Sequence, residues 1–119
     1  MASEFTSFMR DKLLQKGITQ QQVFRFADIS EKFGYKLISG EKHTRQRDLI
    51  IKLCLAAQFT EEELSTALQL YGMSPLFSQN SRDEVIRQAL KEGVREIADL
   101  NEALEKAGFE RFYESKRGA

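Results

Sequence analysis

Apolar residues recur three and four apart almost from the start of the chain. Phe5, Phe8, Met9, Leu13 and Leu14 keep the interval that lines one side of an α-helix, and they predict a first helix over Ser3–Gln15. Lys16-Gly17 then interrupts the pattern, and glycine suits the left-handed residue that closes a helix. Thr19 and Gln22 have the spacing of a capping box, which opens a second helix over Gln20–Ala27. After Asp28 and Ile29, Ser30 is another good N-cap, for a third helix that ends at Ser39 with Gly40 beyond it. Helices this short are not stable alone. Two of them joined by a tight turn form a helix-turn-helix pattern.

The second half of the chain repeats. "RDLIIKLCLAAQFTEEELSTALQLYG" (Arg47 to Gly72) and "RDEVIRQALKEGVREIADLNEALEKAG" (Arg82 to Gly108) align with a one-residue gap. Each opens on Arg-Asp and reads as apolar-faced helix, turn, second helix and closing glycine. Two copies about 35 residues apart are too few for a solenoid, so this is a duplicated helical hairpin. The connector "GMSPLFSQNS" holds the one proline, Pro75, with Leu76 and Phe77, and reads as a packed loop. The tail after Phe112 should fray. The fold class is all-α. Residues 1–72 form a five-helix unit, and residues 73–119 extend it by a C-terminal hairpin packed on it as one compact domain. Val85, Ile86, Ala89 and Leu90, and likewise Ile97, Leu100, Ala103 and Leu104, form stripes that must be buried. They can be covered within the chain or across a two-fold axis with a second copy.

The third helix carries the main question. Phe33 and Leu37 share a face at i, i+4, extended by Ile29 and Ile38, while Glu31, Lys32, Tyr35 and Lys36 lie opposite. Between these faces stands Gly34, which costs about 1 kcal/mol relative to alanine inside a helix. We read it as room for the bulky Phe24 of the second helix. The alternative is close approach of the third helix to a phosphate backbone.

Composition adds limits. The chain has 119 residues, 41% hydrophobic and 30% charged, an ordinary globular balance. Net charge is zero, which argues against a generally basic nucleic-acid binder. The charge is uneven, however. Met1 to Asp48 holds nine Lys/Arg against six Asp/Glu, and "EKHTRQR" sets Lys42, Arg45 and Arg47 against Glu41 alone. The single cysteine, Cys54, cannot form an internal disulfide and lies in an apolar run, as a small core residue would. With one histidine, His43, no zinc site of ordinary ligand count can be built. Neither a signal peptide nor a membrane-length apolar run is evident, so a cytoplasmic location is expected. No phosphate loop or nucleophile elbow is present, and Glu61 to Glu63 after Thr60 read as helix-capping acids. No enzyme, cofactor or small-molecule ligand is expected.

Thr19-Gln20, Val23, Ile29-Ser30, Leu37 and Gly40-Glu41-Lys42 follow, in register, a pattern that resembles the Cro/phage-repressor-like (XRE) helix-turn-helix regulators. "FGYKLISGEKHTRQRDLI" with "YGMSPLFSQNSRDEVIRQAL" is similar to a small bacterial subgroup carrying a "YGYQIFSG…SRD" helix, and this likeness covers nearly the whole chain. Three positions depart from the family pattern. Phe24 replaces a small inner residue, Asp28 replaces the turn glycine, and Leu13 and Ile38 stand where many relatives have a buried Arg–Glu pair. The resemblance implies a repressor-like domain complete near Gly72 and a recognition helix over Ser30–Ser39.

The resemblance places Glu31, Lys32, Tyr35 and Lys36 where base-reading residues fall, with Ser30 opening that helix. It places Gln20 at a phosphate-contacting position, with Lys42, His43 and Arg45 along the strand. The chemistry suits duplex DNA: lysine donates to guanine O6/N7, and glutamate accepts from cytosine N4. A single module buries little surface, so a homodimer on paired half-sites is expected. The rival reading is a protein-interaction module that keeps the fold without nucleic acid. Neutral net charge, the acid at Glu31 and the lack of arginine on the third helix favour that rival.

Overall fold

The structure, a computed structural model, describes residues 3–76 and 79–112. Seven helices and no strand occur among them: α1 (Glu4–Lys16), α2 (Gln20–Ala27), α3 (Glu31–Ser39), α4 (Arg47–Ala56), α5 (Glu61–Leu70), α6 (Ser81–Lys91) and α7 (Ile97–Lys106). None of these helices is long and apolar enough to cross a membrane. Phe77 of the connector and the tail from Tyr113 lie outside the described residues.

Local chemistry explains the boundaries. Ser3 accepts from the Thr6 amide to start α1, and Gly17 ends it in the left-handed region. Thr19 and Gln22 form both halves of a capping box at α2. Ser30 accepts from the Phe33 amide at α3, and Gly40 closes that helix. The turn between α2 and α3 is made by Asp28, at φ 57° and ψ 49°. An aspartate therefore takes the left-handed position where the resemblance leads one to expect glycine, a conformation Asp tolerates better than most residues.

α2 packs on α4, α1 on α5, and α3 against α1 and α2. One apolar core runs from Phe5 to Phe112 through all seven helices. On α1, Phe5, Met9 and Leu13 face it at i, i+4, i+8, and Thr6 donates from its hydroxyl to the Ile38 carbonyl. This bond ties α1 to α3 at Ile38; Ile38 and Leu13 are both buried. Two assignments from the apolar spacing need correction. Leu14 is 83% exposed, because it lies a further 100° round the helix from Leu13, past the edge of the stripe. Phe33 is 36% exposed, because the inward stripe of α3 is Gly34, Leu37 and Ile38, and Phe33 sits at its margin.

Gly34 answers the question its position raised. A Cβ placed there would lie 2.8 Å from Phe24 Cγ and closer still to Cδ1 and Cε1. The Phe24 ring is wholly buried and edge-on to Tyr35, with centroids 4.9 Å apart. The missing side chain is what lets α3 lie against this large neighbour. Gly34→Ala should therefore destabilise the protein by about 1–3 kcal/mol through overpacking, measured by thermal or urea denaturation. A variant that melts higher than the parent would contradict this packing.

The two hairpins, α4–α5 and α6–α7, are joined reciprocally. Arg47 makes two hydrogen bonds to Asp83, both 2.8 Å, and Arg82 makes two to Asp48, both 2.8 Å. Each guanidinium also donates to a carbonyl beyond its own hairpin, Arg47 to Ser74 and Arg82 to Glu110. Leu76 and Phe112 close the repeats as buried residues; their amides donate to Ser65 and Asn101 respectively. Exchanged partners of this kind describe a local two-fold relation between halves of one chain. The apolar stripe of the second hairpin turns mostly inward: Ile86, Ala89, Leu90, Leu100 and Leu104 belong to the common core. Intrachain packing thus accounts for these residues without a second copy.

Candidate nucleic-acid interface

The outward face of α3 is built on this packing. Glu31, Lys32 and Tyr35 are exposed and Lys36 is partly so. Lys32 and Lys36 stand four apart on one side, as do Glu31 and Tyr35, so each pair lies one turn above the other. Phe24 fixes both the approach of α3, through Gly34, and the ring of Tyr35, through the edge-on contact. The Ser30 oxygen is engaged in capping α3, and its hydroxyl hydrogen can still donate outward. Gln20 stands apart in the first turn of α2 and is partly buried.

The segment leaving α3 is held by contacts the sequence did not announce. The Lys42 amide donates to the Lys36 carbonyl at 3.0 Å, turning the chain back under the helix end. Tyr71 then anchors the loop. Its hydroxyl accepts from the Thr44 amide at 2.9 Å, and its ring lies 4.4 Å from that of His43 and 4.7 Å from that of Phe5. Burial pushes the Tyr71 hydroxyl above its ordinary pKa, against the opposing pull of the Thr44 amide. His43 is therefore exposed but packed on an aromatic ring, while Lys42 and Arg45 on either side are exposed. Nothing in the spacing of residue 71 from residues 43 and 44 revealed this link.

Charge pairing is uneven along the chain. Lys12 and Lys16 both reach Glu63, whose carboxyl is held at about 2: burial alone would raise it, but the Thr60 amide and the two lysines outweigh that. Arg47, Arg82, Arg87, Lys106 and Arg111 are likewise in ion pairs. Arg10, Arg25, Lys32, Lys36, Lys42, Arg45, Lys91 and Arg95 have no ion pair among the described residues, and five of these eight fall in residues 20–45. Five cations against three acids in residues 20–45 leave this segment net positive on a neutral chain. Cys54 is chemically quiet: burial, and secondarily the charge of Glu63, push its thiol far up.

The arrangement offers hydrogen-bond donors, one carboxylate and a tyrosine on a short exposed helix, followed by a loop of unpaired cations. No family model, curated protein or solved structure matches this chain.

Proposed function

We propose that this protein is a sequence-specific regulator that binds double-stranded DNA, laying α3 in the major groove. The observation that carries the reading is the run of unpaired cations, Lys32, Lys36, Lys42 and Arg45, on α3 and the loop that leaves it. Cations left without an internal partner suit phosphate contacts, which supply most of the affinity of such complexes. The order of parts supports it: α2, a turn with a left-handed residue, then α3 with a capped start, in the register the XRE resemblance implies. In this reading Lys32 and Lys36 donate to guanine, Glu31 accepts from cytosine, and Tyr35 meets a thymine methyl or a phosphate. Gln20, Ser30, Lys42, His43 and Arg45 follow the backbone and set register. Function comes from occupancy, with a second copy on a paired half-site.

Selection of duplexes from a random pool, followed by titration of the enriched sequence, tests the reading. Lys32→Ala and Lys36→Ala should each weaken binding to that sequence by about 1–3 kcal/mol, with helicity and melting nearly unchanged. Unaltered affinity in both variants would remove α3 as the reader.

A second reading, a protein-interaction module, draws on one specific observation. Phe26 is 61% exposed and borders a small pocket with Leu55, Ala56 and Ile97, on a surface that a DNA contact through α3 does not use. Failure to enrich any duplex would favour it.

A further inference from the structure

The two hairpins are equivalent in their ion pairs and closures, but they are not equally covered. On the first, the face formed by Leu53, Ala57 and Phe59 is fully buried beneath the N-terminal helices. α2 lies on α4, and the α1 residue Phe8 meets Phe59 edge-on at 5.8 Å. The matching face of the second hairpin has nothing on it among the described residues. It forms a groove of about 320 Å³ between α6 and α7, with Val85, Ala89, Val94 and Ala103 as its apolar floor. Along the repeat, Leu49 becomes Glu84, Leu53 becomes Gln88 and Ala57 becomes Glu92, which line the groove's edge.

We infer that this groove docks an amphipathic helix of a partner protein, with small or branched apolar residues on one side and lysine or arginine on its flanks. The internal repeat identifies the shape of the occupant, because the equivalent face of the first hairpin is filled by helices of this same chain. The polar substitutions identify its character. A face kept partly polar stays solvated when empty and suits reversible docking, whereas the all-apolar face of the first hairpin is permanently closed.

Charge selects the partner further. Glu84 shares Arg87 with Glu61, leaving that group net negative, and Glu92 accepts from the Gln88 side-chain amide with no ion pair among the described residues. An acidic rim attracts a basic helix and repels both acidic helices and nucleic-acid phosphate. This surface is distinct from the outward face of α3, so the inference does not depend on DNA binding. Helix-in-groove recognition of this kind is read through apolar anchors at i, i+3, i+4 and i+7.

The test uses the full-length, isotopically labelled chain and a synthetic helical peptide with leucine at i, i+3, i+4 and i+7 and lysine on both flanks. Its control is the same peptide with glutamate for lysine. Signals of Val85, Ala89, Val94 and Ala103 should shift saturably with the lysine peptide, and the glutamate peptide should bind about tenfold more weakly or worse. Gln88→Lys and Glu92→Lys, both surface changes, should weaken the lysine peptide while leaving the far-ultraviolet circular dichroism unchanged. No saturable shift, shifts centred elsewhere, or equal binding of the two peptides would overturn the inference. So would concentration-dependent self-association that moves the same signals without peptide, which would make the occupant a second copy.

Discussion

A chain ended after Gln79 should fail to fold cooperatively, with no sigmoidal melt and little helical signal. The segment removed supplies Ile86, Leu90, Leu100, Leu104 and Phe112 to the one core. Burying a large apolar side chain contributes about 1.5–3 kcal/mol, so five of them represent about ten kcal/mol. That is comparable with the whole stability of a small domain, about 5–15 kcal/mol. The truncation also removes Arg82 and Asp83, and with them both reciprocal ion pairs. The resemblance implies a unit complete near Gly72, but the hairpin that follows belongs to the same core. Circular dichroism and sedimentation of the fragment decide the matter. A soluble fragment with a cooperative melt would contradict this account of the fold.

Arg47→Ala should be the most costly single change among the charged residues, lowering stability by about 3–5 kcal/mol. Asp83 is only 2% exposed and both its oxygens accept from Arg47, so the substitution takes the cation from a buried carboxylate. The same guanidinium also donates to the carbonyls of Ser74 and Pro75, which fix the chain leaving α5. Arg82→Ala should cost less, about 1–2 kcal/mol, because the Asp48 side chain is 36% exposed and water can replace its partner. Urea denaturation of both variants checks the order. Equal losses would contradict the burial argument for the order, and a loss under about 1 kcal/mol for Arg47→Ala would show that its pair does not hold the hairpins together.

Much of this architecture was legible because it is local. Caps at Thr19, Ser30 and Thr60 and closures at Gly17 and Gly40 depend on residues within a turn of one another, and the helices begin and end there, whereas Ser3, read as the first residue of its helix, is its cap. Gly34 and Phe24 were legible as a pair because a glycine is costly inside a short helix and Phe24 is the bulky residue of the helix beside it; of the two explanations open from the sequence, the packing one fits the contact. The margins of the apolar stripes were not: Leu14 and Phe33 have the right spacing, and only the width of the actual contact leaves them outside it. The Arg-Asp repeat was visible as a duplication, yet its exchanged pairing was hidden. Which acid meets which arginine depends on how two halves of the chain meet in space. Tyr71 was missed for the same reason, since its partners lie 27 and 28 residues earlier. The outward position of Glu31, Lys32, Tyr35 and Lys36 follows from helical spacing alone. What those side chains bind depends on a partner that spacing does not encode.

If α3 lies in a DNA groove with the cations of its exit loop on the backbone, the salt dependence of binding tests the reading most directly. Binding of the intact protein to a labelled duplex is measured by fluorescence anisotropy from 50 to 200 mM salt. With Lys42 and Arg45 on phosphates, log K should fall against log salt with a slope of about −2. That is a loss of about tenfold over this range. Arg45→Ala should make the slope shallower by about one while leaving the protein folded. Absence of binding at the lowest salt, or affinity that does not change with salt, would contradict the account.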